Sequence, residues 1–190
     1  MKRVAKTIRI ITVAPIMALI LINALFFFKK ESFINVADYF LAIFSLVILP
    51  LLAYPVQNKY NIITKEKRTA QRILAIIFSI VGYILGFILS LILKLPVTQK
   101  IVYFTYLLSG VLIAFFSFVL KVNASGHMCG LSGPIATMVY AFGPYYIFLF
   151  FFLAFVIWSS LKLNRHSLLE LILGSMIPIA SLIVSIIIFV

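Results

Sequence analysis

The stretch 131-LSGPIATMVYAFGPYYIFLFFFLAFVIW-158 decides the fold. It is apolar almost throughout, and a helix crossing a hydrocarbon core of about 30 Å needs only roughly 20 such residues. At its centre stands Phe142-Gly143-Pro144. Proline removes a backbone donor and glycine supplies a flexible joint, so the pair marks a turn. The stretch is therefore expected to fold as two short antiparallel spans, 128–141 and 145–159. Everything at its two ends, His127 and His166 included, then comes to one side of a membrane; read as one long helix, it would separate them.

Working outward, four further apolar runs are long enough to cross: 8–28, 36–56, 73–93 and 101–120. A last one covers 167–190, which makes seven crossings. Composition points the same way. Of 190 residues 65% are hydrophobic and 11% charged, and the mean hydropathy is +1.24, against roughly 45–50% and about 25% in soluble domains. A polytopic all-α transmembrane bundle of about six to seven spans follows, as one domain over residues 1–190. Backbone groups in lipid must be satisfied internally, and the Gly and Pro within several spans are tolerable in a helical bundle, so helices rather than a β-barrel are expected. The opening MKRVAKTIR with its apolar run looks like a secretory leader, but the run exceeds the 7–15 residues of such a segment and no small-residue cleavage site follows. An uncleaved first span is expected.

Sixteen Lys and Arg against four Asp and Glu give a net charge of +12. The cations sit in loops between apolar runs, which argues for topology rather than nucleic-acid binding. With seven crossings, one side holds Lys2, Arg3, Lys6, Arg9, Lys59, Lys65, Lys67, Arg68, Arg72, Lys121, Lys162 and Arg165; the other holds Lys29, Lys30, Lys94 and Lys100. Twelve against four predicts the first side to be cytoplasmic, in a multi-pass protein of the cell membrane. The lone Cys129 rules out a disulfide framework and a cysteine-based zinc site.

Three polar clusters interrupt this pattern on that same side. In His166-Ser-Leu-Leu-Glu170 the acid follows the histidine by four residues on one helical face, so the carboxylate can accept a ring N–H and fix the tautomer. In Ala124-Ser125-Gly126-His127 small residues open a helix, where free N–H groups and a hydroxyl can meet an anion, although serine there also serves as an ordinary cap. The third, Lys65-Glu-Lys-Arg-Thr-Ala-Gln-Arg72, reads alone as a solvated basic loop.

Taken together, the three clusters resemble the signature of the type-2 phosphatidic acid phosphatase superfamily, K-x6-R-P, then P-S-G-H, then S-R-x5-H-x3-D. Lys65 and Arg72 match the first part, with Ile73 in place of proline. Ser125, Gly126 and His127 match the second, with Ala124 in place of proline. Ser159, His166 and Glu170 match the third, with Ser160 where the family has arginine and glutamate for aspartate. The resemblance implies a membrane lipid phosphatase, acting on phosphatidate, phosphatidylglycerophosphate or a polyprenyl diphosphate, with no metal or other cofactor. His166 would be the nucleophile, oriented by Glu170, and His127 the acid. Lys65, Arg72, the Ser125 hydroxyl and the Gly126 N–H would hold the phosphoryl oxygens. Losing the arginine at position 160 removes a bidentate phosphate contact, for which Lys121, Lys162 or Arg165 could compensate. Two other readings are a family member or small transporter that binds anionic lipid without turnover, and a metal site of His127, His166 and Glu170.

Overall fold

The computed structural model describes residues 1–60, 63 and 66–190, with only the backbone at Arg68. Lys65, one of the expected phosphate ligands, lies outside the described residues. Among them no strand occurs, and the chain runs α1 (Lys2–Ile11), α2 (Ala14–Phe28), a 3-10 turn (Lys30–Ser32), α3 (Val36–Ile43), a π-helical turn (Phe44–Ile48), α4 (Leu49–Tyr60), α5 (Lys67–Ile92), α6 (Val97–Phe118), α7 (Gly126–Phe142), a 3-10 stretch (Pro144–Phe152), α8 (Leu153–Lys162) and α9 (Leu168–Phe189).

Five helical segments are long and apolar enough to cross a membrane: Val36–Tyr60, Thr69–Ile92, Val97–Phe118, Pro144–Lys162 and Leu168–Phe189. The chain is a multi-pass membrane protein. The expected first span, 8–28, is instead two helices, Lys2–Ile11 and Ala14–Phe28, bent by 50°. Pro15 in the first turn of α2 has no N–H to extend the ladder, and the Thr12 hydroxyl donates to the Ile8 carbonyl at 2.8 Å as α1 ends. Counted together, α1 and α2 make a sixth crossing. In α1 the positions Lys2, Arg3 and Lys6 are exposed while Ala5 is fully buried, the pattern of an amphipathic helix at an interface.

α7 has 17 residues, about 25 Å at 1.5 Å per residue, shorter than the five long segments. It nonetheless runs the length of α2. Near its start Gly130 lies so close to Ala14 that a Cβ there would stand 2.6 Å from it, and at its end the Ala141 carbonyl accepts from Lys29 Nζ at 2.7 Å. The chain then reverses at Gly143, whose φ of +110° only glycine adopts without strain, and returns along the 3-10 stretch and α8. The hairpin expected at Phe142-Gly143-Pro144 is the observed one.

Buried positions between the helices are small or weakly polar. Ser45, Ser132, Ser159, Ser160, Ser181 and Ser185 are all fully buried, letting helices approach closely in the absence of a hydrophobic drive between them. Each needs a hydrogen bond, and most find a carbonyl one turn back: Ser132 to Met128 at 2.8 Å, Ser181 to Ile177 at 2.9 Å. The Thr105 hydroxyl donates across to Ser185 at 2.9 Å, tying α6 to α9. The large exposed side chains are apolar, as on the outer face of α5 with Ile77, Val81, Ile84 and Ile88. That is the inversion expected where the surrounding medium is hydrocarbon.

Candidate functional site

Two helix starts build the site. α9 begins with Ser167 as its cap: the hydroxyl accepts from the Glu170 N–H at 3.3 Å, and the Glu170 carboxylate accepts from the Ser167 N–H at 2.9 Å. The same carboxylate oxygen lies 3.2 Å from Nδ1 of His166, so the cap that starts the helix also fixes the ring. Because a carboxylate only accepts, Nδ1 carries the proton and Nε2 keeps its lone pair. The other carboxylate oxygen accepts from the Asn123 N–H at 3.2 Å.

α7 begins with Ser125, fully buried. Its Oγ accepts from the Met128 N–H at 3.4 Å and its own N–H donates to the Glu170 carbonyl at 2.9 Å. The two starts can lie this close because residue 174 is glycine: a Cβ there would stand 2.5 Å from the Ser125 carbonyl oxygen. The expectation that the Ser125 hydroxyl holds phosphate is corrected by this geometry. The oxygen is turned inward as a cap, and Ser125 is not part of the cavity wall. Gly126 is exposed and does line the cavity, with nothing within 4 Å of where a Cβ would be.

A cavity of about 660 Å³ opens here and is lined by Arg9, Arg72, Gly126, His127, Arg165 and His166 among others. Sequence spacing had not suggested Arg9, which dominates the mouth. Its Nη1 donates to Ser160 Oγ at 2.9 Å and its Nη2 lies 3.3 Å from His127 Nδ1, while its carbonyl lies 3.0 Å from His127 Nε2. A guanidinium only donates and a carbonyl only accepts. His127 is therefore the neutral tautomer with its proton on Nε2. The signal was present in the sequence: Arg9 falls inside the apolar run 8–28, and a charge in such a run needs a partner.

Arg72, on the first turns of α5, donates to Asn123 Oδ1 and, at 2.8 Å, to Ser117 Oγ. It thus links α5 to the end of α6 and to the segment before α7. Arg165 is exposed at the cavity mouth, its N–H on the Ser160 carbonyl at 2.9 Å. The other two auxiliary cations do not line the cavity. Lys121 is exposed in the turn after α6 with φ +57°, and Lys162 ends α8, five residues of loop short of α9, so it never stacks on the His166 helix.

His166 sits in the 163–167 loop. Burial pushes its pKa below the ordinary histidine value, the Glu170 carboxylate opposes this, and the Arg9 and Arg72 charges add to the lowering. The arrangement thus offers a neutral imidazole with a fixed lone pair, a second neutral imidazole, and three guanidinium groups around one opening. Guanidinium forks suit phosphate oxygens. Among the described residues no three His, Cys, Asp or Glu side chains are grouped to hold a metal ion. No protein-family model, no curated protein and no solved structure matches the chain.

Proposed function

We propose that the protein is an integral membrane phosphatase that hydrolyses a lipid phosphomonoester or diphosphate through a phosphohistidine. The observation that carries this reading is the convergence of His166, held by Glu170 through Nδ1, with Arg9, Arg72, Arg165 and His127 at the mouth of one cavity in an apolar bundle. Nε2 of His166 attacks phosphorus and the bond from phosphorus to the lipid oxygen breaks. That oxygen takes a proton from His127 once His127 has been protonated to imidazolium, and the neutral ring so restored takes a proton from the water that attacks phosphohistidine to release phosphate. The guanidinium groups neutralise the developing charge on the phosphoryl oxygens. Where the superfamily that the motifs resemble has an arginine, this chain has Ser160, and the Arg9 guanidinium lies on that serine. By the same reading the site end, with twelve of the sixteen cations, faces the cytoplasm from the cell membrane.

Purified protein in a chelator should release phosphate from phosphatidate, phosphatidylglycerophosphate or a polyprenyl diphosphate. Release by His166→Ala equal to that of the native protein would overturn the mechanism. One observation favours a second reading, binding of an anionic headgroup without turnover: Arg9 engages both ring nitrogens of His127, so its proton reaches a leaving oxygen only after the Arg9 carbonyl is exchanged. Headgroup binding that survives His127→Ala and His166→Ala, with no phosphate release, would select it.

A further inference from the structure

Most of the surface of α1 takes no part in the site. At 3.6 residues per turn, Lys2, Arg3 and Lys6 fall within about 100° of its circumference, and all three are exposed. Val4 and Ile11, 56% and 54% exposed, lie on the far flank. Fully buried Ala5 lies between the two flanks, and α1 packs against α8. The helix, KRVAKTIRII, contains no acid. Among the described residues no carboxylate lies within ion-pair distance of Lys2, Arg3 or Lys6.

The bend sets the height of these cations. α2 has 15 residues, about 22 Å of a ~30 Å hydrocarbon core. α1 leans 50° from it, so beside an upright α2 it climbs about 1 Å per residue. The remaining ~8 Å is covered between Val13 and Lys6. Lys6, Arg3 and Lys2 then stand at headgroup level, with Ile11 in the core below. Lys2, Lys6 and Arg9 share one stripe, at i, i+4 and i+7. At its lower end Arg9 donates to Ser160 Oγ at 2.9 Å and lies 3.3 Å from His127 Nδ1. One helix thus presents cations to the headgroups and holds His127. Like charges along such a stripe repel each other, and anionic headgroups are the neutralising charge at that height.

We propose that α1 is a docking surface for anionic lipid headgroups, and that docking sets Arg9 against His127 and Ser160. The docking stands apart from the catalytic reading; its effect on turnover rests on that reading. The test places a nitroxide on Val4→Cys, in the full chain with Cys129→Ser so that one site is labelled. Vesicles of phosphatidylcholine alone are compared with vesicles holding an equal share of phosphatidylglycerol, a phosphodiester that the proposed reaction does not hydrolyse. The ratio of immobilised to mobile label should rise about five- to a hundredfold in the anionic vesicles and fall back in concentrated salt. Lys2→Gln with Arg3→Gln and Lys6→Gln should abolish the rise, whereas Lys2→Arg with Lys6→Arg should keep it. An unchanged spectrum, the result expected if α1 met an acidic protein instead of the bilayer, or a rise that the triple variant retains, would overturn the proposal. In the unlabelled chain, phosphate release from a trace of phosphatidate, phosphatidylglycerophosphate or polyprenyl diphosphate in the same bilayers should rise in parallel, and not in the triple variant. Release that ignores a responding spectrum overturns the coupling to Arg9. No release in either vesicle beside a responding spectrum refutes the catalytic reading and leaves the docking standing.

Discussion

His166 and His127 line the same cavity, yet one is held by a carboxylate four residues along its own chain segment and the other by an arginine 118 residues away. The first arrangement is local. Helix geometry stacks i and i+4, and the Ser167 cap brings the Glu170 carboxylate to the helix start in any case. The second is tertiary, and depends on the 50° bend between α1 and α2 and on the packing of α1 against α8. A locally held imidazole keeps its orientation as long as its helix does, whereas one held from another helix answers to that helix's position. The difference suits the two roles proposed for them: a nucleophile that must stay fixed, and a proton donor whose contact must be exchanged.

The sharpest break of this comparison is deletion of each ring. His166→Ala should remove phosphate release down to the uncatalysed background, since no bond to phosphorus can form. His127→Ala should lose about 10²–10⁴-fold, the usual range for one general acid, and should lose least on a substrate whose leaving group needs no proton. Single-turnover assays with an activated aryl phosphate and with a lipid phosphate measure both effects. Equal losses on the two substrates would dissolve the division of roles.

Next in size is the tertiary partner. Arg9→Ala removes charge-assisted bonds worth about 1.5–3 kcal/mol each, so release should fall about 10- to 100-fold. Adding Ser160→Arg should recover much of it, because that side chain starts from the residue the Arg9 guanidinium touches. Arg9→Lys should recover less, a lysine offering only a point charge. A merely structural Arg9 would show no rescue by Ser160→Arg.

The same contrast explains what was legible in the sequence. The His166–Glu170 pair, the turn at Gly143 and the apolar spans expected at 36–56, 73–93, 101–120 and 167–190 rest on run length or local chemistry, and each stands close to where the sequence puts it. Three readings went astray where a tertiary contact chose between local options. Ser125 was open to capping or to anion binding, and the close approach allowed by Gly174 buries it as a cap. The run 8–28 carries Pro15, whose missing N–H interrupts the ladder, so it is not one helix. Lys121 and Lys162 stand outside the cavity wall, whereas Arg9, the cation that reaches His127, is hidden among apolar neighbours in the sequence.

A smaller effect separates the carboxylate's two duties. Glu170→Gln keeps a side-chain acceptor for the Ser167 N–H but loses the charge facing His166, and should cost about 10- to 100-fold in release. The pH profile supplies the sign. The nucleophile must be unprotonated, and burial with the nearby arginines already holds the His166 pKa below its ordinary value against the opposing carboxylate. Native activity should thus persist as pH falls through 6.5 and decline only in more acid solution. Removing the carboxylate's charge lowers the pKa further, so the acid limb of kcat/KM in Glu170→Gln should move to still lower pH. A shift to higher pH would mean that the titrating group is not His166.

The smallest effect isolates the local frame itself. Ser167→Ala removes the cap oxygen that accepts the Glu170 N–H at 3.3 Å and should cost about 1 kcal/mol of stability. Ser167 is exposed and outside the cavity wall, while its backbone N–H, the donor to Glu170, remains. Thermal inactivation in detergent should therefore be a few times faster, with kcat and its pH dependence nearly native. A large fall in kcat with unchanged inactivation would mean that the His166 ring is set by the hydroxyl rather than by the carboxylate. The two histidines would then differ only in the distance along the chain to their partners, and no longer in how firmly they are held.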